Sequence, residues 1–180
     1  DLIDFDRKAK GLVGLDGIDY SIEPKFDGAS ISLIYENDQL VRATTRGDGV
    51  AGDDITQNIK QIKSIPLSAA FSSYGLQTVE IRGEVIMNKK AFDGFNATLA
   101  ASNLPPLANP RNAAAGALRM KDPREVAQRN LDAFLYHISY YTKLDSSTAL
   151  HPALTTHSGM LDMLWDLGFR SPKKEKKAVT

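Results

Sequence analysis

No cysteine occurs among the 180 residues. That absence excludes a disulfide framework, a cysteine nucleophile and a cysteine-type zinc site within the chain. No apolar run approaches the roughly 20 residues of a membrane span. The first 20 residues hold Asp1, Asp4 and Asp6 and no long apolar stretch, so they do not read as a secretory signal. Net charge is missing too, because 22 Lys and Arg balance 22 Asp and Glu. G-x-x-x-x-G-K is absent, which disfavours a P-loop, and no strand–helix–strand rhythm supports a doubly wound dinucleotide fold. His137, His151 and His157 show no metal-ligand spacing, and no Ser-His-Asp order stands out. His137 follows Tyr136 inside a strand pattern and reads as a structural residue.

What is there is ordinary globular composition, with 42% hydrophobic, 24% charged and 8% aromatic residues. A chain of this length buries a real core. The charge is uneven. Residues 1–60 carry 7 basic and 12 acidic side chains, residues 61–120 carry 6 and 3, and residues 121–180 carry 9 and 7. A basic surface facing a polyanion is compatible with the later two-thirds but is not announced by so small an excess. The chain begins at Asp1 and ends in a Lys-rich stretch, which suggests an excised piece of a longer protein.

Leu2, Phe5, Ala9 and Val13 predict an amphipathic helix over 1–13. The period then changes to two. Residues 21–25 read as a strand, with Pro24 confining it to an edge or a first-residue position. Ile31, Leu33 and Tyr35 alternate with polar positions, and 40–45 return, so 29–45 is a hairpin whose Asn37-Asp38 tip tolerates positive φ. Asp53 and Asp54 mark a helix start, with Ile55, Ile59 and Ile62 as its stripe. In 79–87, Val79, Ile81, Val85 and Met87 face one way and Glu80, Arg82 and Glu84 the other. Helices are expected over 89–102, over 110–120 behind an Asn109 cap with Pro110 at the first position, and over 158–167 ended by Gly168. Residues 131–141 read as a strand, and 173–177 as a linker or frayed end. Strands arriving mostly as hairpins, with inserted helices, make this an α+β protein around antiparallel sheet.

Four segments hold residues suited to chemistry. In Glu23-Pro24-Lys25-Phe26-Asp27-Gly28, a continued strand puts Glu23, Lys25 and Asp27 on one face. A lysine nucleophile must first lose its proton, which burial or nearby cations favour and adjacent carboxylates oppose. The alternative is an exposed charge ladder on an edge strand. In Arg46-Gly47-Asp48-Gly49, two glycines permit a sharp turn and Arg46 a phosphate-directed fork, or the segment is simply a loop. Gly83, between Arg82 and Glu84, sits in the centre of the strongest strand, where it needs a reason such as close ligand approach. Arg82 and Glu84 otherwise form a surface pair. In Asn109-Pro110-Arg111-Asn112-Ala113-Ala114-Ala115-Gly116, small residues let a helix press on a neighbour. Arg111 and Arg119 lie roughly 80° apart around it, either reaching one phosphate-rich surface or facing solvent.

In order and spacing these segments resemble the adenylation domain of NAD-dependent bacterial DNA ligases. The resemblance runs from Tyr20 to Tyr140 and includes Ala-Thr-Thr-Arg-Gly-Asp-Gly at 43–49, Gly-Asp-Asp-Ile-Thr at 52–56 and the segment at 109–116. The Lys-x-Asp-Gly element alone is shared with ATP-dependent ligases, RNA ligases and capping enzymes. The resemblance implies an antiparallel-sheet nucleotidyltransferase domain of ATP-grasp-like type, incomplete toward its C-terminal end. It divides into a lead-in helix and loop (1–19), a sheet core with inserted helices (20–142), and a loop, helix and linker-like end (143–180).

It also implies roles. Lys25 attacks NAD and becomes a lysine–AMP, the AMP passes to the 5′-phosphate of nicked duplex DNA, and the strand is sealed, with Mg²⁺ on the phosphates. Glu23 recognises adenine, Glu84 the ribose, and Tyr136 stacks on the base. Arg46 contacts the nucleotide, Arg111 and Arg119 hold phosphates of nucleotide or DNA, and Asp27 and Gly28 complete the nucleophile motif. Pro24 departs from the family pattern. The family's later Asp-Gly-x-Val-x-Lys segment is not found by residue 180, nor are its other domains, which the resemblance places in cis. The isolated chain is accordingly expected to form lysine–AMP poorly. A cytoplasmic location is expected. An ATP-using nucleotidyltransferase and a non-catalytic nucleic-acid-binding module are the alternatives.

Overall fold

The computed structural model describes residues 1–47, 51–174 and 177–179. Helix α1 spans Leu2–Val13, capped by the Asp1 side chain on Asp4 N and closed by Gly14 at φ 68°. Its helical period is as expected, but Leu2, Phe5, Leu12 and Val13 are exposed. Strand β1 is only Tyr20–Ile22, and it pairs antiparallel with β6, Lys177–Val179. The strand expected to run to Lys25 therefore stops earlier. Pro24 has no N–H to donate to a ladder, so the chain leaves the strand just before it. Glu23, Lys25 and Asp27 thus gain no common face from strand alternation. The stretch expected as a linker is also revised, since Lys177 opens β6 and Lys173 Nζ lies 3.2 Å from Asp166 Oδ1.

The main sheet has β2 (Ala29–Glu36), β3 (Gln39–Thr45), β4 (Leu76–Ile86) and β5 (Asp132–Lys143), ordered β3-β2-β4-β5, with every pair antiparallel. Only β2–β3 is a tight hairpin, and its tip residues Asn37 and Asp38 take φ of 47° and 67°. The β4–β5 connection carries three helices: α3 (Lys89–Ala101), α4 (Pro110–Leu118) and α5 (Pro123–Ala127). Asn109 caps α4 by accepting from Asn112 N, with Pro110 in the first turn. A single turn, α2 (Thr56–Ile59), begins after Asp54, whose carboxylate accepts from Thr56 N and Thr56 Oγ1. Ile55, Ile59 and Ile62 are buried as the stripe predicts.

Period two sorts the sheet faces. Ile31, Leu33, Tyr35, Ala43, Val79, Ile81, Val85, Ala133 and Leu135 are buried in one core with Ala113, Ala114, Ala117 and Leu118 of α4. Small residues along α4 bring it close to β2 and β4. The ring of Tyr35 packs between Phe71 and Phe169, at 5.3 and 5.5 Å. Its hydroxyl donates to the Pro66 carbonyl, and burial pushes its pKa up. The opposite face is polar and carries Ser30, Ser32, Glu80, Arg82 and Glu84. Helix α6 (His157–Asp166) sits beside β5, capped by Thr156 and ended at Gly168 with φ 89°. Among the described residues no helix is long and apolar enough to cross a membrane.

Candidate active site

The polar sheet face forms the floor of a cleft of about 800 Å³. Ser30 and Ser32 come from β2, Thr44, Thr45 and Arg46 from β3 and its exit, Glu80 and Arg82 from β4, and Tyr136 and His137 from β5. Glu23 and His157 add the rim from the chain after β1 and the start of α6. Strict alternation would send the neighbours Tyr136 and His137 to opposite faces. Both reach the cleft because β5 bulges there: Arg82 pairs with His137 and Gly83 with Leu135, leaving Tyr136 as the extra residue.

The segment 23–28 is held at nearly every residue. Glu23 Oε1 accepts from Ser21 Oγ at 2.8 Å and lies 2.8 Å from His157 Nε2. The Phe26 ring stacks on Phe134 with centroids 3.8 Å apart and a 14° interplanar angle. The other partner of Phe134 is the Arg170 guanidinium, 4.5 Å from the ring centre and also 3.2 Å from Asp132. Asp27 Oδ1 is 3.3 Å from Arg111 Nη1 of α4. Gly28 N donates to Glu84 Oε1 at 3.2 Å. Between these anchors, Lys25 is exposed, and its amine makes no hydrogen bond or ion pair within the described residues. Its side chain is not part of the main cleft's lining.

Glu84 is 9% exposed and satisfied at both oxygens, the second accepting from Ser30 Oγ at 2.8 Å. It does not pair with Arg82, as the sequence suggested; Arg82 Nε is instead 3.8 Å from Glu80 Oε1, and Ser32 Oγ donates to Glu80. Gly83 is also explained differently. A Cβ there would lie 2.5 Å from Phe134 O and from Leu135 Cδ1, so the close approach is to β5 and not to a ligand.

A second hollow, of about 290 Å³, adjoins the first through Ser30, Thr45 and Arg46. Arg111 of α4 and Arg119, the residue that caps its C-terminal end, line it with Arg46. Arg119 Nε pairs with Asp53 Oδ2 at 2.9 Å, while the Arg46 guanidinium has no hydrogen-bond or salt-bridge partner within the described residues. Asp48 and Gly49 of the Arg46–Gly49 motif lie outside the described residues.

Burial raises the Tyr136 pKa, and the Glu84 carboxylate adds to this while Arg46 and Arg82 oppose it. His137 is exposed on the cleft and not a core residue, correcting the sequence expectation; partial desolvation, then the charges of His157 and Arg82, lower its pKa. Ser30, Ser32, Glu80, Arg82, His137 and His157 are cleft residues that the sequence reading did not assign. The serines were findable as the polar half of the β2 alternation. His157 carried no signal, since its partner Glu23 is 134 residues away.

A family model described as NAD-dependent DNA ligase adenylation domain matches residues 1–179. The chain is 55% identical over 177 residues to a DNA ligase of Persephonella marina, covering 98% of this chain and 25% of the relative. A DNA ligase of Aquifex aeolicus is 49% identical over 177 residues, covering 98% and 24%. One from Bacillus velezensis is 44% identical over 180 residues, covering 100% and 25%. The chain therefore spans about a quarter of the length of the curated relatives it matches. A free lysine on an anchored loop beside a polar cleft, three arginines in the adjoining hollow and a family match over nearly every residue lead to one assignment: the chain belongs to the NAD-dependent DNA ligase adenylation domain family.

Proposed function

We propose that this chain carries the nucleotidyl-transfer chemistry of an NAD-dependent DNA ligase, in a nucleotidyltransferase domain of ATP-grasp-like type. Its lead-in is 1–19, its sheet core 20–142 and its closing segment 143–180. The observation that carries the reading is the segment 23–28, where Glu23, Phe26, Asp27 and Gly28 are each tied down and the Lys25 amine has no hydrogen-bond or ion-pair partner among the described residues. A nucleophile needs its backbone fixed and its reacting atom unencumbered.

Lys25 Nζ forms a P–N bond to the α-phosphorus of NAD, and the bond from that phosphorus to the bridging oxygen breaks. Nicotinamide mononucleotide leaves with the electron pair, and the amine proton passes to solvent. The 5′-phosphate of nicked duplex DNA then displaces the lysine, and the 3′-hydroxyl displaces AMP to close the strand. Tyr136 offers an aromatic face to adenine, Glu23 an acceptor, and Glu84 a carboxylate near the ribose, while Gly28 lets the loop lie against β4. Arg46, Arg111 and Arg119 form the cationic hollow for phosphates. Among the described residues no group of three or more His, Cys, Asp or Glu side chains is placed to hold a metal ion, and Mg²⁺ would be bound mainly by substrate phosphates rather than in an all-protein cage. When bound it neutralises phosphate charge. DNA as substrate implies work in the cytoplasm of a bacterial cell, with further ligase domains in cis. The family match favours NAD over ATP and a catalytic over a purely binding role.

The test is peptide mapping of the full-length ligase after incubation with NAD and Mg²⁺. AMP is expected on Lys25 and absent from Lys25→Arg; AMP on Lys60, Lys63 or Lys89 instead overturns the assignment.

A further inference from the structure

Glu23 is held by a neighbour two residues away and by a residue 134 positions away. Ser21 Oγ donates to its Oε1 at 2.8 Å, and His157 Nε2 meets the same oxygen at 2.8 Å. An ionised carboxylate only accepts, so Nε2 carries the hydrogen. Glu23 Oε2 has no partner within the described residues, and the side chain lines the main cleft.

The donor is itself mounted rigidly. His157 is the first residue of α6, whose cap Thr156 accepts from Gly159 N at 3.0 Å. Gly159 lets the turn lie on the preceding chain, since a Cβ there would be 2.6 Å from Ala153 O. Leu161 and Leu164 bury the next turn. The charged and titratable groups around the His157 ring are Glu23, His137 of β5 at 6.4 Å between ring centres, and Arg82 of β4 beyond it.

We propose that His157 is a positioning residue: with Ser21 it fixes one oxygen of Glu23, so that the free Oε2 accepts the 6-amino group of adenine. This rests on the assignment of Glu23 to the nucleotide made above. The arrangement discriminates by chemistry. A 6-amino group donates to Oε2, whereas a 6-oxo group presents lone pairs to a carboxylate and is rejected. A carboxylate that swivels loses that preference, because it can turn away from the oxo group.

The experiment compares NAD with its deaminated analogue, in which oxygen replaces the 6-amino group. Calorimetric Kd values and kcat/KM for Lys25 adenylation are measured on the full-length ligase as wild type, His157→Ala and His157→Gln. The wild type is expected to prefer NAD, and His157→Ala to reduce that preference about tenfold, mainly through KM. His157→Gln keeps a side-chain donor and is expected to recover to within about threefold of the wild type. A wild-type preference retained in His157→Ala, or no recovery in His157→Gln, overturns the inference. If the wild type binds NAD but places no AMP on Lys25, the functional reading fails and the Kd ratios still decide the role of His157. If the wild type binds neither dinucleotide, both fall.

Discussion

Gly28→Ala probes the closest approach on which the candidate site depends. A Cβ at this position would stand 2.1 Å from the Val85 carbonyl oxygen and 2.9 Å from both its carbon and Ile86 Cγ2. Reaching even the 3.0 Å below which real Cβ contacts essentially never occur requires a shift of about 1 Å. Val85 cannot supply it, because β4 is an inner strand, paired with Ala29 on one side and Ala133 on the other. The segment before β2 must move instead, which stretches the 3.2 Å bond from Gly28 N to Glu84. Overpacking of this kind costs about 1–3 kcal/mol. At about 2–4 °C per kcal/mol for a domain of this size, the thermal midpoint falls by roughly 2–12 °C. Lys25 lies three residues away, and a displacement near 1 Å lowers the rate of a positioned reaction by about a hundredfold. Intact-mass kinetics of lysine–AMP formation by the full-length ligase at saturating NAD, with calorimetric unfolding, read both effects. Gly94→Ala is the control: it lies inside α3 with nothing within 4 Å of the added carbon. It is expected to gain about 0.5–1 kcal/mol and keep its rate. A Gly28→Ala protein with wild-type midpoint and rate would refute the reasoning, as would an equal loss of rate in the control.

Tyr136→Ala is expected to weaken NAD binding by about 1–3 kcal/mol through loss of a stacking face, with Tyr136→Phe close to the wild type by titration calorimetry; equal losses in the two would show that stacking is not the contribution. Arg111→Ala should leave the thermal midpoint almost unchanged, because its pair with Asp27 is exposed on both sides, while lowering affinity for nicked DNA most at low salt. A loss of affinity independent of salt would sink that assignment. The lowered pKa of His137 means that the folded protein binds this proton less tightly than the unfolded chain. Its contribution to stability is complete above about pH 6.5 and is lost as pH falls through the depressed value. The midpoint should therefore drop more between neutral and mildly acidic pH in the wild type than in His137→Gln, and identical drops would contradict the shift.

The chain's own residues determined whatever depends on near neighbours. Alternation placed Ile31, Leu33 and Tyr35 on one face and Ser30 and Ser32 on the other, because successive strand side chains oppose each other. Asn109-Pro110 set the start of α4, and Asn37-Asp38 set the hairpin tip, since a cap and a positive φ are local properties. The Lys25 segment was legible as chemistry, though not as geometry. Pro24 ends the strand locally, but only the tertiary structure decided how the loop after it is pinned. Its anchors, Glu84, Phe134, Arg111 and His157, come from four separate elements, and no spacing within six residues encodes them. The same holds for the partners of Glu84, for the bulge that turns Tyr136 and His137 into one cleft, and for Gly83, whose missing Cβ makes room for β5. Local pattern specifies which elements form and which faces are apolar. Which polar groups then meet is settled by the packing of the whole chain, where each buried donor and acceptor must find a partner.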